Sequence, residues 1–180
     1  MYGVVSLLDD RHYRLVEEIW AEIDAQLGAG VTRSAPHPHF SYHVAERYDQ
    51  PSLATTLVEI ARDVAPFRVR TTGIGVFTAS HLVLYLPVVK TLELALFHRT
   101  LWHNLIKLSA NAQAYYQPDL WVPHITLAAN DLRMDQLGEV VRWLSTHDLE
   151  WECTVDNLAL IHDTGSTHAL DLRFDFAGTS

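Results

Sequence analysis

The feature of this sequence that most constrains its fold is a short motif that occurs twice in the same local setting. Pro38-His39-Phe40-Ser41-Tyr42 and Pro123-His124-Ile125-Thr126-Leu127 each place a proline before a histidine and a hydroxyl residue two positions after it. The two histidines are 85 residues apart. Each motif begins an alternating apolar stretch that predicts a strand, and a helical pattern and two further strands follow it.

The spacing within the two halves indicates an internal duplication. His39 lies 35 residues before Ile74, and His124 lies 34 residues before Leu158, in the corresponding later strands. We therefore predict an α+β fold with two lobes related by a pseudo-two-fold axis. The lobes are expected to contain two antiparallel β-sheets flanked by helices around a central cleft. Since 180 residues suit one domain of roughly 100–200 residues, residues 1–180 are predicted to form a single domain with one motif in each lobe.

The remaining pattern alternates between helix and strand signals. Helices are predicted at residues 11–27, 52–64, 92–108 and 134–144, with a short helix or loop at 110–116. Strands are predicted at residues 2–8, 39–45, 67–76, 82–89, 124–128, 150–161 and 169–176.

The bare pattern His-x-Ser/Thr is weak evidence, because it occurs four times in a chain with eleven histidines. His98 lies in a helical pattern, where residues two apart point in different directions. His162 precedes a turn-like segment. Only His39 and His124 follow a proline, lie on predicted strands and fall at equivalent places in the repeat.

On a strand, residues two apart share a face. His39 and Ser41 therefore project together, as do His124 and Thr126, and the pseudo-two-fold axis could bring both pairs to the cleft. Two imidazoles that flank a phosphate can act as general base and general acid, each worth ~10²–10⁴-fold in rate. The hydroxyls can hydrogen-bond the non-bridging oxygens. No metal ion is needed to activate the attacking group, because histidine titrates near neutral pH.

Other side chains are candidates for the lining of the cleft. His43 shares the predicted strand face of His39 and Ser41, and Tyr85 lies on the strand of residues 82–89, where it faces either the cleft or the core. Tyr116 lies with Tyr115 and Trp121 before the second motif, where aromatic rings can stack on a base or pack the loop. Two arginines near the motifs, Arg33 and Arg133, face either a phosphate or solvent.

The paired motif resembles the two-histidine (2H) phosphoesterase superfamily, which includes 2′-5′ RNA ligase-like proteins and cyclic nucleotide phosphodiesterases. The resemblance spans nearly the whole chain and is most specific at residues 116–128, YQPDLWVPHITLA. It implies that His39 and His124 are the catalytic pair and that Ser41 and Thr126 bind the phosphate. It also implies metal-independent opening of a cyclic phosphodiester, or joining and cleavage of 2′-5′ linkages at RNA ends, with no cofactor.

The amino-acid composition limits the kind of molecule that the protein is expected to bind. The net charge of −9, with 22 acidic and 13 basic residues, argues against binding of long nucleic acid through phosphate neutralisation. It favours a small nucleotide or an RNA terminus, bound by a monomer. No apolar run reaches the ~18 residues of a membrane span, and the single cysteine excludes an internal disulfide and favours the cytoplasm.

A metal site around the first motif is a weaker alternative. His37, His39 and His43 cluster in sequence, but no carboxylate or cysteine stands at a convincing ligand spacing, and one cysteine cannot build a cysteine-based zinc site. We therefore predict no metal.

Two alternative functions stay open from the residues. A nucleotide-binding or RNA-end-binding protein could use the same cleft without turnover. A Ser–His acyl hydrolase based on Ser41 is poorly supported, because the Gly-x-Ser-x-Gly elbow is missing from the sequence. The physiological substrate, the direction of reaction, the product regiochemistry and the assignment of base and acid are left open.

Overall fold

The computed structural model describes residues 1–27, 37–78, 82–129, 132–163 and 168–179. The helices in these ranges are α1 (Asp10–Leu27), α2 (Gln50–Asp63), α3 (Leu92–Leu105) and α4 (Met134–Leu144), with one turn of 3-10 helix at Ala114–Tyr116. The strands are β1 (Tyr2–Leu7), β2 (His39–Tyr48), β3 (Phe67–Arg70), β4 (Gly75–Phe77), β5 (Val83–Pro87), β6 (Ser109–Ala112), β7 (His124–Ala129), β8 (Glu152–Val155), β9 (Asn157–Asp163) and β10 (His168–Asp175).

The strands form two antiparallel sheets. The larger sheet has eight strands in the order β10-β9-β1-β2-β7-β5-β4, with β6 paired to β2 outside this order, and the smaller sheet consists of β3 and β8. The two motif strands, β2 and β7, meet at the centre of the larger sheet through the pairing of Phe40 with Ile125. The predicted α+β fold with antiparallel sheets and helices is confirmed.

The strand register repeats on the two sides of this central pair. On one side β1 places Leu7 opposite His39, and on the other side β5 places Pro87 opposite His124. β9 then pairs with β1, and β4 pairs with β5. The side that carries the first motif is thus completed by the C-terminal strands β9 and β10, while β4 and β5 complete the side of the second motif.

Each motif strand contains an irregularity at the same position. The β1–β2 register shifts so that Tyr42 is an extra residue in β2, and the β5–β7 register shifts so that Leu127 is an extra residue in β7. Both extra residues lie three positions after the motif histidine. Because a bulge of this kind breaks the alternation of a strand, side chains beyond it change faces, and His43 is buried together with Tyr42.

The helices cover the face of the sheet that carries Phe40 and Ile125, and they cross between the halves. α1 packs against β7, whereas α3 packs against β2. The largest side chains with almost no exposed surface are Trp121, Tyr42 and Phe40. The Tyr42 hydroxyl shares a 2.9 Å hydrogen bond with Ser6 Oγ in this core.

Several predicted boundaries differ from the structure. The strand predicted at 67–76 is divided into β3 and β4, because Gly73 between them has a positive φ of 57°. The strand predicted at 150–161 is divided into β8 and β9, where buried Asn157 bonds both the N–H and the carbonyl of Leu7 at 3.0 Å. Residues 109–112 form β6, because β2 continues to Tyr48 and pairs with them.

No helix in the described ranges is both long enough and apolar enough to cross a membrane.

Two histidines are buried between β2 and α3. His43 Nδ1 lies 2.6 Å from the Tyr48 hydroxyl, and His98 Nε2 donates to the Tyr42 carbonyl at 3.0 Å. Burial, together with the charge of the neighbouring His98, lowers the pKa of His43 to about 4. Burial lowers the pKa of His98 to about 4 as well. Both imidazoles are therefore neutral at pH 7.

We predict that this pair makes the protein acid-sensitive. In the unfolded chain these histidines have a pKa near 6.5, whereas in the folded protein it is about 4. Protons therefore bind the unfolded chain more tightly, so the free energy of unfolding is highest above pH 6.5 and falls as the pH is lowered toward about 4. Each histidine contributes about 3 kcal/mol at most to this pH-dependent change in the free energy of unfolding, at 1.36 kcal/mol per pKa unit.

Urea unfolding at pH 7 and pH 4.5 measures this change. The difference in the free energy of unfolding between the two pH values should be smaller in His43→Leu than in the wild type. The exposed-site control His103→Gln should match the wild type, and an unchanged pH effect in His43→Leu would contradict the prediction.

Candidate active site

The two motif pairs lie together at the centre of the larger sheet. Because Phe40 pairs with Ile125 in antiparallel register, His39 and Thr126 flank this pair on one side, and Ser41 and His124 flank it on the other. Phe40 and Ile125 are buried on the opposite face, whereas the four motif side chains are partly exposed. The sheet thus brings two imidazoles and two hydroxyls to one surface.

The two motif histidines are held in the same way. His39 Nδ1 donates to the carbonyl of His37 at 2.6 Å, and His124 Nδ1 donates to the carbonyl of Val122 at 2.7 Å. Since a carbonyl can only accept, Nδ1 carries the proton in both neutral rings. Nε2 is then the unprotonated nitrogen of each neutral ring, the atom that accepts a proton when the ring acts as a base.

Backbone contacts around the two motifs repeat as well. The carbonyl of Pro38 accepts the N–H of Leu8 at 3.1 Å, and the carbonyl of Pro123 accepts the N–H of Val88 at 2.9 Å. Leu8 and Val88 each follow the strand that neighbours the motif strand. The start of each motif strand is therefore fixed to the end of its neighbour.

Two tryptophan indole groups donate hydrogen bonds to the backbone of the motif strands, each to the strand of the other half of the chain. Trp20 of α1 donates through Nε1 to the carbonyl of Thr126 at 3.1 Å, and Trp121 donates through Nε1 to the carbonyl of Ser41 at 2.8 Å. The Trp121 ring stacks on the His98 ring at 3.8 Å, and its carbonyl accepts Lys90 Nζ at 3.0 Å. Sequence patterns gave no role to Trp20, because its helical spacing is that of an ordinary core residue.

The environment of the site affects its titratable groups. Burial lowers the pKa of His124, and the hydrogen bond to the Val122 carbonyl opposes this only in part. Burial raises the pKa of Tyr116, while a hydrogen bond with the Ser41 side chain opposes the rise. His124 is therefore predominantly neutral at pH 7, and the Tyr116 phenol stays protonated beside Ser41.

The flank of the site beside His124 is aromatic. The His124 ring lies 5.1 Å from the ring of Tyr85 and 5.0 Å from the ring of Phe77, and these two rings stack at 4.2 Å. Burial raises the pKa of Tyr85. The corresponding flank beside His39 is aliphatic and consists of a separate buried cluster of Val5, Leu7, Ala159 and Ile161.

The structure brings some of the other sequence candidates to the site and not others. Tyr85 lies against His124, and Tyr116 lies beside Ser41. His43 does not share the cleft face: the bulge in β2 turns it into the core, where its ring lies 4.8 Å from Trp102.

The arginines and the remaining His-x-Ser/Thr matches do not join the described site. Arg33 lies outside the described residues, and Arg133 pairs with Asp135 at the start of α4. His98 is buried in α3 while Thr100 is exposed. His162 lies on β9 rather than in a turn and pairs with Asp171 at 2.7 Å, and Thr164 lies outside the described residues.

The histidines around the first motif do not form a metal cluster among the described residues. His37 Nδ1 bonds the Tyr13 hydroxyl at 2.8 Å, and His43 lies in the core. A different group brings three ligand atoms within 4.8 Å of one another: Asp9, His12 and Cys153. It lies outside the four-residue site, and sequence reasoning missed it because Cys153 is more than 140 residues away along the chain.

Comparison with known proteins identifies one family from the sequence and two solved structures with a similar fold. The family model of the 2'-5' RNA ligase superfamily matches residues 8–167. The solved structure of TT0787 from Thermus thermophilus is similar over 99% of both chains, with 17% identity and a TM-score of 0.69. That of Usb1 from Kluyveromyces marxianus is similar over 97% of both chains, with 12% identity and a TM-score of 0.50. At these identities the structural likeness concerns the fold alone. Among curated protein sequences, none matches the chain.

The aromatic flank gives a test of the site geometry. A Cβ on Gly75 would lie 2.3 Å from the Tyr85 ring, whereas a Cβ on Gly138 in α4 would meet nothing within 4 Å. We expect Gly75→Ala to displace Tyr85 from His124 and to shift the NMR signals of the His124 ring, because nearby aromatic rings contribute to those shifts. Gly138→Ala should leave them unchanged. Identical His124 signals in both variants and the wild type would contradict the packing described above.

Proposed function

The chain belongs to the 2'-5' RNA ligase superfamily, and from this membership and the geometry of the paired motifs we propose that it is a metal-independent phosphoesterase. Its proposed substrate is a 2′,3′-cyclic or a 2′-5′ phosphodiester of a nucleotide or an RNA end. His39 and His124 are the proposed general acid and base, and Ser41 and Thr126 the proposed phosphate ligands.

The observation that carries this proposal is the equivalence of the two histidines. Both donate Nδ1–H to the carbonyl two residues earlier, and both belong to strands that meet at the Phe40–Ile125 pair. If the two histidines served packing alone, nothing would require them to share a tautomer, a similar exposure and a neighbouring hydroxyl group. A phosphodiester needs this arrangement, because one bond to phosphorus forms while another breaks on the opposite side.

The proposed hydrolytic step uses both imidazoles. One neutral imidazole takes a proton from water through Nε2 while the water oxygen forms a bond to phosphorus. The bond between phosphorus and one ribose oxygen breaks, and the other imidazole, as its conjugate acid, gives that oxygen a proton. The Ser41 and Thr126 hydroxyls donate hydrogen bonds to the non-bridging oxygens, where negative charge accumulates.

The environment of the second motif supports His124 as the base in this direction. Its lowered pKa favours the neutral ring at pH 7, which is the form that accepts a proton. His39 then serves as the acid. The roles exchange in the reverse, ligating direction.

The charge of the chain supports a small substrate. At −9 the protein repels a long polyanion, while the phosphate donors proposed here are neutral hydroxyls. We propose that residues 1–180 act as one monomeric domain, with one motif in each lobe, on a nucleotide or an RNA terminus. A single buried cysteine is compatible with the reducing cytoplasm, the compartment we propose.

The direct test is an activity panel of 2′,3′-cyclic nucleotides, ADP-ribose cyclic phosphate and 2′-5′ dinucleotides. We expect turnover that EDTA leaves unchanged while circular dichroism shows an intact fold. His39→Ala and His124→Ala should each lower kcat by about 10²–10⁴-fold. His103→Ala, which changes an exposed histidine of α3, should match the wild type.

Three other results of this activity panel would each contradict a different part of the proposal. Full activity of either motif variant would remove the assignment of that histidine, and inhibition by EDTA of a folded protein would remove the metal-free mechanism. A wild type that binds these nucleotides in calorimetry without converting them would favour the non-catalytic binding protein.

The pH dependence tests the assignment of the base. Because the pKa of His124 is lowered from 6.5, the neutral base is lost only below that pH, and we expect the acidic limb of kcat/KM to lie below 6.5. An acidic limb clearly above 6.5 in the free enzyme would show that His124 is not the base.

A further inference from the structure

We propose that Asp9, His12 and Cys153 form a zinc site away from the paired motifs, with three protein ligands and a fourth position for water. The three side chains lie where the segment after β1, the start of α1 and strand β8 meet. Each offers a ligand atom, and these atoms all lie within 4.8 Å of one another. The inference does not depend on the proposed function.

The donor set fits a borderline-soft divalent cation. Carboxylate, imidazole and thiolate are the three ligand types that zinc uses in proteins, in tetrahedral geometry. With bonds of about 2.0 Å to nitrogen and 2.3 Å to sulfur, tetrahedral ligands lie about 3.5 Å apart. The most distant ligand atoms therefore approach each other by about 1.3 Å at most. His12 Nδ1 and the Asp9 oxygens, now 2.7 and 2.8 Å apart, separate by roughly 0.7 Å and give up their hydrogen bond when both bind the metal. The partial exposure of the Asp9 carboxylate, 22%, leaves a fourth position open to water.

Cys153 packs in the hydrophobic core and also places its sulfur beside two polar ligand groups. It is 1% exposed, and its thiol has no hydrogen-bond partner in the described chain, although it lies beside a carboxylate and an imidazole. A purely apolar role for Cys153 would be served as well by a side chain without a ligand atom. His12 is 5% exposed, so two of the three ligands are already withdrawn from water.

The Asp9 carboxylate is held in place before any metal binds. One oxygen accepts the N–H of His12 at 3.1 Å, and the other accepts the N–H of Thr154 at 2.9 Å. His12 Nδ1 lies 2.7 and 2.8 Å from the two oxygens. A carboxylate has about four lone-pair positions, so both amide bonds can persist when it ligates zinc.

Zinc binding at this site can be written with its protons and charges balanced. The Cys153 thiol loses its proton to solvent and forms a bond to zinc as a thiolate, and His12 binds as a neutral imidazole. The dication then carries the charges of one thiolate and one carboxylate. Metal affinity is therefore expected to fall with falling pH, because protons compete for the sulfur and the imidazole.

The position of the site indicates what the metal would do. Leu8, next to Asp9, donates its N–H to the carbonyl of Pro38, which precedes His39. Zinc would link the β1–α1 junction to β8, a strand of the other sheet, and would steady the segment on which the first motif rests. This is a contribution to stability, and it adds no metal to the cleft.

The test uses cobalt as a spectroscopic probe in the full chain, purified without an affinity tag and treated with EDTA. We expect one equivalent of Co²⁺ to produce a thiolate-to-cobalt charge-transfer band with tetrahedral d–d bands, and Zn²⁺ to displace both. Cys153 is the sole cysteine, so any such band reports on this site. Zinc should also raise the melting temperature of the wild type.

Variants separate a metal site from a packing cluster. Cys153→Ser should lose the charge-transfer band, and His12→Gln should weaken cobalt binding at least about 10-fold, while His103→Gln should bind like the wild type. A folded wild type without the band at stoichiometric Co²⁺ would overturn the proposal. So would an unchanged affinity in His12→Gln. Neither result bears on the cleft, where EDTA-resistant turnover tests the proposed function separately.

Discussion

The arrangement of the molecule depends on the pairing of Phe40 with Ile125, where β2 and β7 meet in antiparallel register. This contact puts both apolar side chains into the core and, because alternate residues on a strand face opposite ways, leaves the flanking histidines and hydroxyls on the open face. The two indole donors, Trp20 and Trp121, hold the backbone on either side of it. A change that separated these two strands would separate both motif pairs at once.

The same contact explains why the halves are interwoven. α1 packs on β7 and α3 packs on β2, so each motif strand is supported by the helix that precedes the other motif. The second sheet repeats this principle, since β3 and β8 come from different halves and pair with each other. In the described residues, neither half forms a sheet of its own, because strands of both halves are shared between the two sheets.

Sequence patterns were sufficient for the fold class and for bringing His39, Ser41, His124 and Thr126 to one surface, because strand alternation and internal repetition are local signals. His43 could not be placed in this way. Its orientation depends on a bulge that appears only when β2 pairs with β1, and a single strand carries no such information. The group of Asp9, His12 and Cys153 was missed for a related reason, since the pairing of β3 with β8 sets where Cys153 lies.

The matching bulges at Tyr42 and Leu127 limit where this architecture can vary. Each bulge turns the next side chain of its strand, His43 in β2 and Ala128 in β7, into the core, so these two positions stay buried and do not reach the open face. The strands next to the motif strands differ between the two halves: opposite Ser41 stands Val5, whereas opposite Thr126 stands Tyr85. A symmetric arrangement of strands thereby carries a chemically asymmetric surface, aliphatic beside the first motif and aromatic beside the second.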